Sequence, residues 1–280
     1  ILGEAPVWHE QKKACLWVDV ESKIVYEYYW DEKTIKQYLF DQRVSLVVPA
    51  SGDHLIVALQ GGMAKFNTSS NELVRLPSPI DVDWNKYRFN DGGYDAAGRL
   101  WISTMELNHR EGAGSVYCIE GNGRITKKIS SISIPNGFVW APDHRTLYYT
   151  DSIRSEVYAY SFDDSSGQIG FERVAIFIPE NLGLPDGMAV DEEGMLWIAL
   201  WGGYGVARFN PDTGQMVDFI DIPAPHVTCC CFVGDERDHM VITTAKSGMT
   251  EEGLRDFPES GNVFIVKMKV RGMHSNTVDL

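Results

Sequence analysis

Four oxygen-bearing side chains, Glu4, Asn90, Asn136 and Asp186, stand at comparable places along the 280-residue chain. Each lies ten to twelve residues ahead of an apolar pair, and Ser45 and Cys230 hold the same place before two further pairs. Two carboxylates and two amides are hard donors. Brought to one point they suit Ca²⁺, Mg²⁺ or Mn²⁺, and Zn²⁺ or Fe²⁺ would tolerate them. A divalent ion held by three or four protein ligands keeps positions open for water and substrate, which is the arrangement of a catalytic metal rather than a structural one.

The elements that would bring these residues together are legible in the repeat. The pairs Leu16-Trp17, Leu55-Ile56, Leu100-Trp101, Leu147-Tyr148, Leu196-Trp197 and Met240-Val241 recur every 39 to 49 residues. Turn sequences such as Ala97-Gly98-Arg99 and Glu193-Gly194-Met195 precede them, and the alternation in Val157-Tyr158-Ala159-Tyr160 is that of strands. A period of this length without a helical pattern predicts an all-β fold, a single six-bladed β-propeller over residues 1–280, with one sheet per repeat. Inner strands are expected to begin near Pro6, Ser45, Gly92, Gly137, Gly187 and Cys230. Six equivalent positions at the starts of these strands form a ring at one end of the central channel. Strands one and two of a blade are antiparallel, so the loops after strand two share that face. Two of these loops, Met105–Ala113 and Lys246–Ser260, are long, as binding loops over a rigid scaffold are.

Three of the segments look alike: Phe89-Asn90-Asp91-Gly92, Pro135-Asn136-Gly137-Phe138 and Pro185-Asp186-Gly187-Met188. Any one of them is accounted for by an Asx turn opening a strand. Four equivalent positions converging on one axis favour a metal or substrate site. Other catalytic patterns are absent: there is no HExxH, GxSxG or P-loop, and the seven histidines are scattered.

The formal net charge of −14 offers no footprint for nucleic acid or for an anionic membrane surface. No run of eighteen apolar residues exists to span a bilayer. Of five cysteines, three are consecutive (Cys229, Cys230 and Cys231), and neighbouring strand positions face opposite ways, so they read as buried thiols of a reducing, cytoplasmic compartment. Nothing in the sequence calls for an obligate protein partner.

The segments Leu2-Gly3-Glu4-Ala5-Pro6-Val7-Trp8, Arg88-Phe89-Asn90-Asp91-Gly92, Pro135-Asn136-Gly137, Tyr148-Tyr149-Thr150-Asp151-Ser152, Pro185-Asp186-Gly187-Met188 and Gly261-Asn262-Val263-Phe264 together resemble the senescence-marker-protein/gluconolactonase family. Leu200-Trp201-Gly202-Gly203-Tyr204-Gly205 looks most like its bacterial sugar-acid lactonases. The resemblance implies one divalent metal held by Glu4, Asn136 and Asp186, with Asp186 doubling as general base. It implies substrate contacts from Arg88 and Asn90. A further acidic contact of some members falls in register nearest Asn108. The family usually carries a segment ahead of its Gly-Glu motif, and only two residues precede Gly3 here, so a strand that closes the ring is expected to be missing. The expected reaction is hydrolysis of an aldonolactone, a small-molecule sugar lactone, to the free acid. The alternatives are a metal-dependent esterase or phosphotriesterase on the same scaffold, and a non-catalytic calcium-binding propeller.

Overall fold

The computed structural model describes residues 1–273; the expected single domain extends to residue 280, and its last seven residues lie outside the described part. Six sheets follow one another along the chain. Five have four antiparallel strands each and the sixth has three. The inner strands are Gly3–His9, Val44–Pro49, Tyr87–Tyr94, Pro135–Trp140, Leu184–Val190 and Val227–Val233. Each touches the inner strands of the sheets before and after it, and the sixth touches the first, which makes a closed ring of six blades. The seam is joined by an antiparallel bridge between Leu2 and Ala245 and by the Thr228 hydroxyl, which donates to the Gly3 carbonyl at 2.6 Å.

The second strands (Ala14–Asp19, His54–Leu59, Leu100–Glu106, Thr146–Asp151, Leu196–Trp201 and His239–Thr244) carry the apolar pairs and are almost wholly buried. Covered by a sheet on either side, they have no solvent face, so they read as apolar runs rather than as alternation. The core lies between sheets. Trp101, Trp140 and Phe162 pack edge to face between the third and fourth. Trp8, Cys15 and Trp17 meet Val233 and Val241 across the seam.

Turns set the register. Asp95 accepts backbone N–H groups of Ala97 and Arg99 and, through its other oxygen, the Trp101 indole at 2.9 Å. Asp191 repeats the device with Glu193, Met195 and the Trp197 indole, also at 2.9 Å. One buried carboxylate thus closes the turn and pins the second strand to it.

Three expectations change in detail. Inner strands begin one to five residues earlier than expected, because pairing resumes on the far side of a bulge at the ring position instead of starting there. In the first sheet Glu4 pairs with Val18 and Trp8 with Cys15, matching Asn136 with Thr150 and Trp140 with Leu147, so the repeat unit is Cys15-Leu16, one residue before Leu16-Trp17. In the sixth sheet the bulge falls between Val227 and Cys229, so the ring position is Thr228; Cys230 lies two residues down the strand, where its thiol reaches the Trp197 carbonyl. The long loop after the sixth sheet's second strand holds a short helix, Glu251–Asp256, capped by the Thr250 hydroxyl, which accepts from Gly253 N–H.

Candidate metal centre

Buried anchors hold the ring residues. The Asp19 carboxylate accepts Leu2 N–H at 3.1 Å, two residues ahead of Glu4. Asp151, its counterpart in the fourth sheet, accepts Ser133 N–H at 3.2 Å and Ile134 N–H at 3.4 Å, just ahead of Asn136. After Glu4 and Asn136 the backbone turns sharply. Gly137 has φ +54°, and Ala5, in the matching place, is held at φ +48°, a conformation that costs an L-residue energy and is maintained only by its surroundings. Gly187 is required by close approach: a Cβ there would lie 2.2 Å from the Cys229 sulfur. The bulges at the ring positions interrupt the regular strand alternation there.

A chain of hydrogen bonds crosses two blades. Arg88 Nη1 donates to Asn90 Oδ1 at 2.7 Å and to the Phe89 carbonyl at 2.8 Å. Asn90 Nδ2 donates to Asn136 Oδ1 at 2.7 Å and to the Pro135 carbonyl at 2.9 Å. Asn136 Nδ2 donates to the Ser152 hydroxyl at 2.8 Å. Asn136 therefore presents its oxygen, not its nitrogen, on the Asn90 side. Asn136 and Asp186 are buried and Glu4 is half-buried.

The electrostatics are those of a crowded anionic pocket. Burial first, then the charges of Asp186 and Asp91, push the Glu4 carboxyl well above the usual carboxylate range. Burial and then Asp91 do the same to Asp186, while Arg88 opposes. Burial lowers the Arg88 guanidinium, against the pull of Glu4. Asp91 is the member that sequence reasoning did not single out. Its Oδ2 accepts Gly137 N–H at 2.6 Å, its Oδ1 accepts Gly92 N–H at 2.7 Å, and burial pushes its carboxyl up to about 6. The adjacency Asn90-Asp91 was visible, but the partner that makes Asp91 matter comes from the next blade.

These residues fit a divalent cation. Carboxylates that burial and mutual repulsion drive toward protonation are relieved by a positive charge among them, and the oxygen-only donor set suits a hard ion. Among the described residues no three His, Cys, Asp or Glu side chains stand at metal-binding spacing; the expected set of Glu4, Asn136 and Asp186 is two carboxylates and an amide. Asn108 is not joined to it. It is exposed, and its backbone N–H donates to Glu106 Oε2 at 2.8 Å and its side-chain amide to Glu106 Oε1 at 3.4 Å, so it sits in a turn beyond the Leu100–Glu106 strand. Ser45, the second sheet's ring residue, is buried with an unpartnered hydroxyl.

Residues 2–246 match the family model described as SMP-30/Gluconolactonase/LRE-like region. Regucalcin of Gallus gallus is 33% identical over 280 residues, covering 97% of this chain and 93% of the relative. The Bacillus subtilis (strain 168) protein YvrE, whose name proposes a sugar lactone lactonase, is 31% identical over 272 residues with the same coverage, 97% and 93%. A crystal structure described as a calcium-binding protein, regucalcin, from Agrobacterium tumefaciens superposes with a TM-score of 0.94 at 26% identity, over 100% of this chain and 94% of that one.

Proposed function

From the premise that this chain belongs to the SMP-30/gluconolactonase/LRE-like family, we propose that it hydrolyses the ring ester of an aldonolactone with the help of one divalent ion. The observation that carries the reading is one charge cluster of Glu4, Asp186, Asp91 and Arg88, with Arg88 joined through Asn90 to Asn136 by hydrogen bonds.

Glu4, Asn136 and Asp186 would hold the ion. When bound it supplies Lewis acidity toward a carbonyl oxygen and lowers the basicity of its carboxylate ligands. Asp186 is the base. Its carboxylate accepts a proton from the water that adds to the lactone carbonyl carbon, and Glu4 is near enough in the same charge cluster to share that load. As the tetrahedral carbon collapses, the ring C–O bond breaks, the ring oxygen takes the proton, and the product is the open hydroxy acid. Arg88 and Asn90, already linked to each other, present donors and an acceptor to ring hydroxyls. Because Arg88 is itself partly desolvated, it gives a fixed donor fork with little reorganisation.

The decisive test is acid release at constant pH over a panel of aldonolactones, simple esters and a phosphotriester, with and without chelator. Chelator-sensitive turnover of sugar lactones above the other classes is expected. Calcium binding without turnover of any of them would refute the reading in favour of a binding protein.

A further inference from the structure

A second layer of residues leads into the ring, two residues ahead of each ring position, at the first residues of the inner strands or just before them. Arg43 precedes Ser45, Arg88 precedes Asn90 and His226 precedes Thr228; Leu2, Ile134 and Leu184 fill the other three places. The mouth is therefore nitrogen-bearing on three blades and apolar on three. Two of the three polar members are guanidinium groups, which can only donate, and each already holds a protein partner. Arg43 donates to Glu21 Oε2 through Nε and Nη2, at 3.1 and 2.9 Å, and Arg88 is bound to Asn90 and the Phe89 carbonyl.

His226 is different. Its Nδ1 lies 3.0 Å from the Ser247 carbonyl, an atom that can only accept, so Nδ1 carries the proton. Burial lowers the pKa of this imidazole, which keeps the ring neutral near pH 7 and leaves Nε2 with a free lone pair. Among the described residues no hydrogen bond reaches Nε2. The ring is clamped in place. Trp201 stacks on it with centroids 4.0 Å apart and planes 11° from parallel. The backbones of the two residues form an antiparallel bridge, and Ala245 N–H donates to the His226 carbonyl at 2.9 Å. Trp201 pairs with Leu184, two residues from Asp186, so the stack stands between the fifth and sixth blades at the mouth of the charged pocket. The loop that follows the second strand of the sixth sheet passes the two ring edges at Gly248, where a Cβ would lie in ordinary van der Waals contact, 3.8 Å from each.

We propose that His226 is a substrate-binding residue that selects hydroxylated lactones: its Nε2 accepts a hydrogen bond from a ring hydroxyl, and Trp201 holds the imidazole plane for that contact. An acceptor fixed in plane and tautomer discriminates by hydrogen bonding, which an apolar wall cannot do. The inference rests on the lactonase reading above and names a residue that would enforce its preference for polyhydroxylated rings over plain cyclic esters.

The test uses His226→Phe, which keeps an aromatic ring against Trp201 and removes the acceptor. With glucono-δ-lactone the KM should rise about five- to tenfold, the loss of one neutral hydrogen bond. With δ-valerolactone, which has no hydroxyl, kcat/KM should stay within about twofold on the same reasoning. His226→Gln, which retains an acceptor, should recover part of the loss. Equal losses on both lactones, or none on the hydroxylated one, would overturn the assignment. Calorimetric titration of D-gluconate into the calcium-loaded protein adds an arm that needs no turnover. Wild-type binding weakened by His226→Phe supports the role of His226 even where no lactone is hydrolysed, an outcome that would remove the lactonase reading alone. Equal gluconate affinity in the two proteins would overturn the His226 assignment, and a wild type that neither binds gluconate nor turns over a lactone would overturn both.

Discussion

Replacing Asp91 with Asn should stabilise the metal-free protein at neutral pH and destabilise it in acid. In the folded protein the Asp91 carboxyl is raised from its ordinary 3.8 to about 6, chiefly by burial. A carboxyl raised on folding binds its proton more tightly in the native state than in the unfolded chain, so native stability falls as pH climbs from about 4 to about 6 and is level above that, with respect to this group. Ionising it at pH 7 costs about 3 kcal/mol of stability. The amide of the Asp91→Asn variant carries no such cost, but it has one oxygen where the carboxylate uses two, for Gly92 N–H at 2.7 Å and Gly137 N–H at 2.6 Å. Leaving one of these donors unpaired costs about 1–2 kcal/mol. The variant should therefore be more stable by about 1–2 kcal/mol at pH 7 and less stable by a similar amount near pH 4, where the wild-type carboxyl is protonated in the folded state and about half protonated in the unfolded chain. The removed charge also repels Glu4 and Asp186, which reinforces the gain at neutral pH. Urea unfolding of chelator-treated protein at pH 4, 5.5 and 7 measures the difference. A stability difference that does not change sign or slope between pH 4 and 7 would refute the argument that Asp91 is a buried charge held against its preference.

Asp186→Asn and Glu4→Gln each remove one charge from the same pocket, so both should weaken calcium binding by titration calorimetry. At saturating metal Asp186→Asn should remain slower than Glu4→Gln by about 10²–10⁴, the contribution of a lost general base; equal rates would assign Asp186 to holding the ion alone. Arg88→Ala should raise KM for sugar lactones while metal content, read by elemental analysis, stays as in wild type. Gly187→Ala places a methyl 2.2 Å from the Cys229 sulfur and 3.0 Å from its Cα, a backbone that cannot step aside. A loss of about 1–3 kcal/mol, as for an overpacked core, should appear in thermal unfolding, with metal affinity falling alongside it.

The propeller was legible because its second strands are buried on both faces and so announce themselves as apolar pairs at a steady interval. The ring was legible for the blades whose spacing is regular: Ser45, Asn90, Asn136 and Asp186 follow from counting back from those pairs. Counting fails at Thr228, because the turn between the first two strands of that blade is longer: Phe232 pairs with Met240, whereas Val190 pairs with Leu196, so counting back from the apolar pair stops two residues short. The outer strands, among them Thr34–Leu39 and Met216–Asp221, are expected of four-stranded blades but could not be placed from the sequence. They are largely exposed edges, and their residues carry no burial pattern to read. Asp91 and His226 escape a sequence reading for a third reason. Each acquires its chemistry from another segment, Gly137 of the next blade in one case and Trp201 and Ser247 in the other, and such pairings exist only once the ring has closed.

That closure has a mechanical side. The first and last blades meet through hydrogen bonds and packing: Leu2 with Ala245, Gly3 with Thr228, and the Lys246 N–H that donates to the Ile1 carbonyl at 2.8 Å. Glu4 sits beside that seam, whereas Asn136 and Asp186 stand on the fourth and fifth blades. An ion gripped by Glu4 and Asp186 would tie off a loop of about 180 residues, and closing so long a loop removes much of the freedom of the opened chain. The cation would then act as a rivet as well as a reagent. Stripping it should let the first blade peel away along the seam, so that proteolysis of the metal-free chain starts at the Gly3–His9 strand and leaves the blades on the far side of the ring for last.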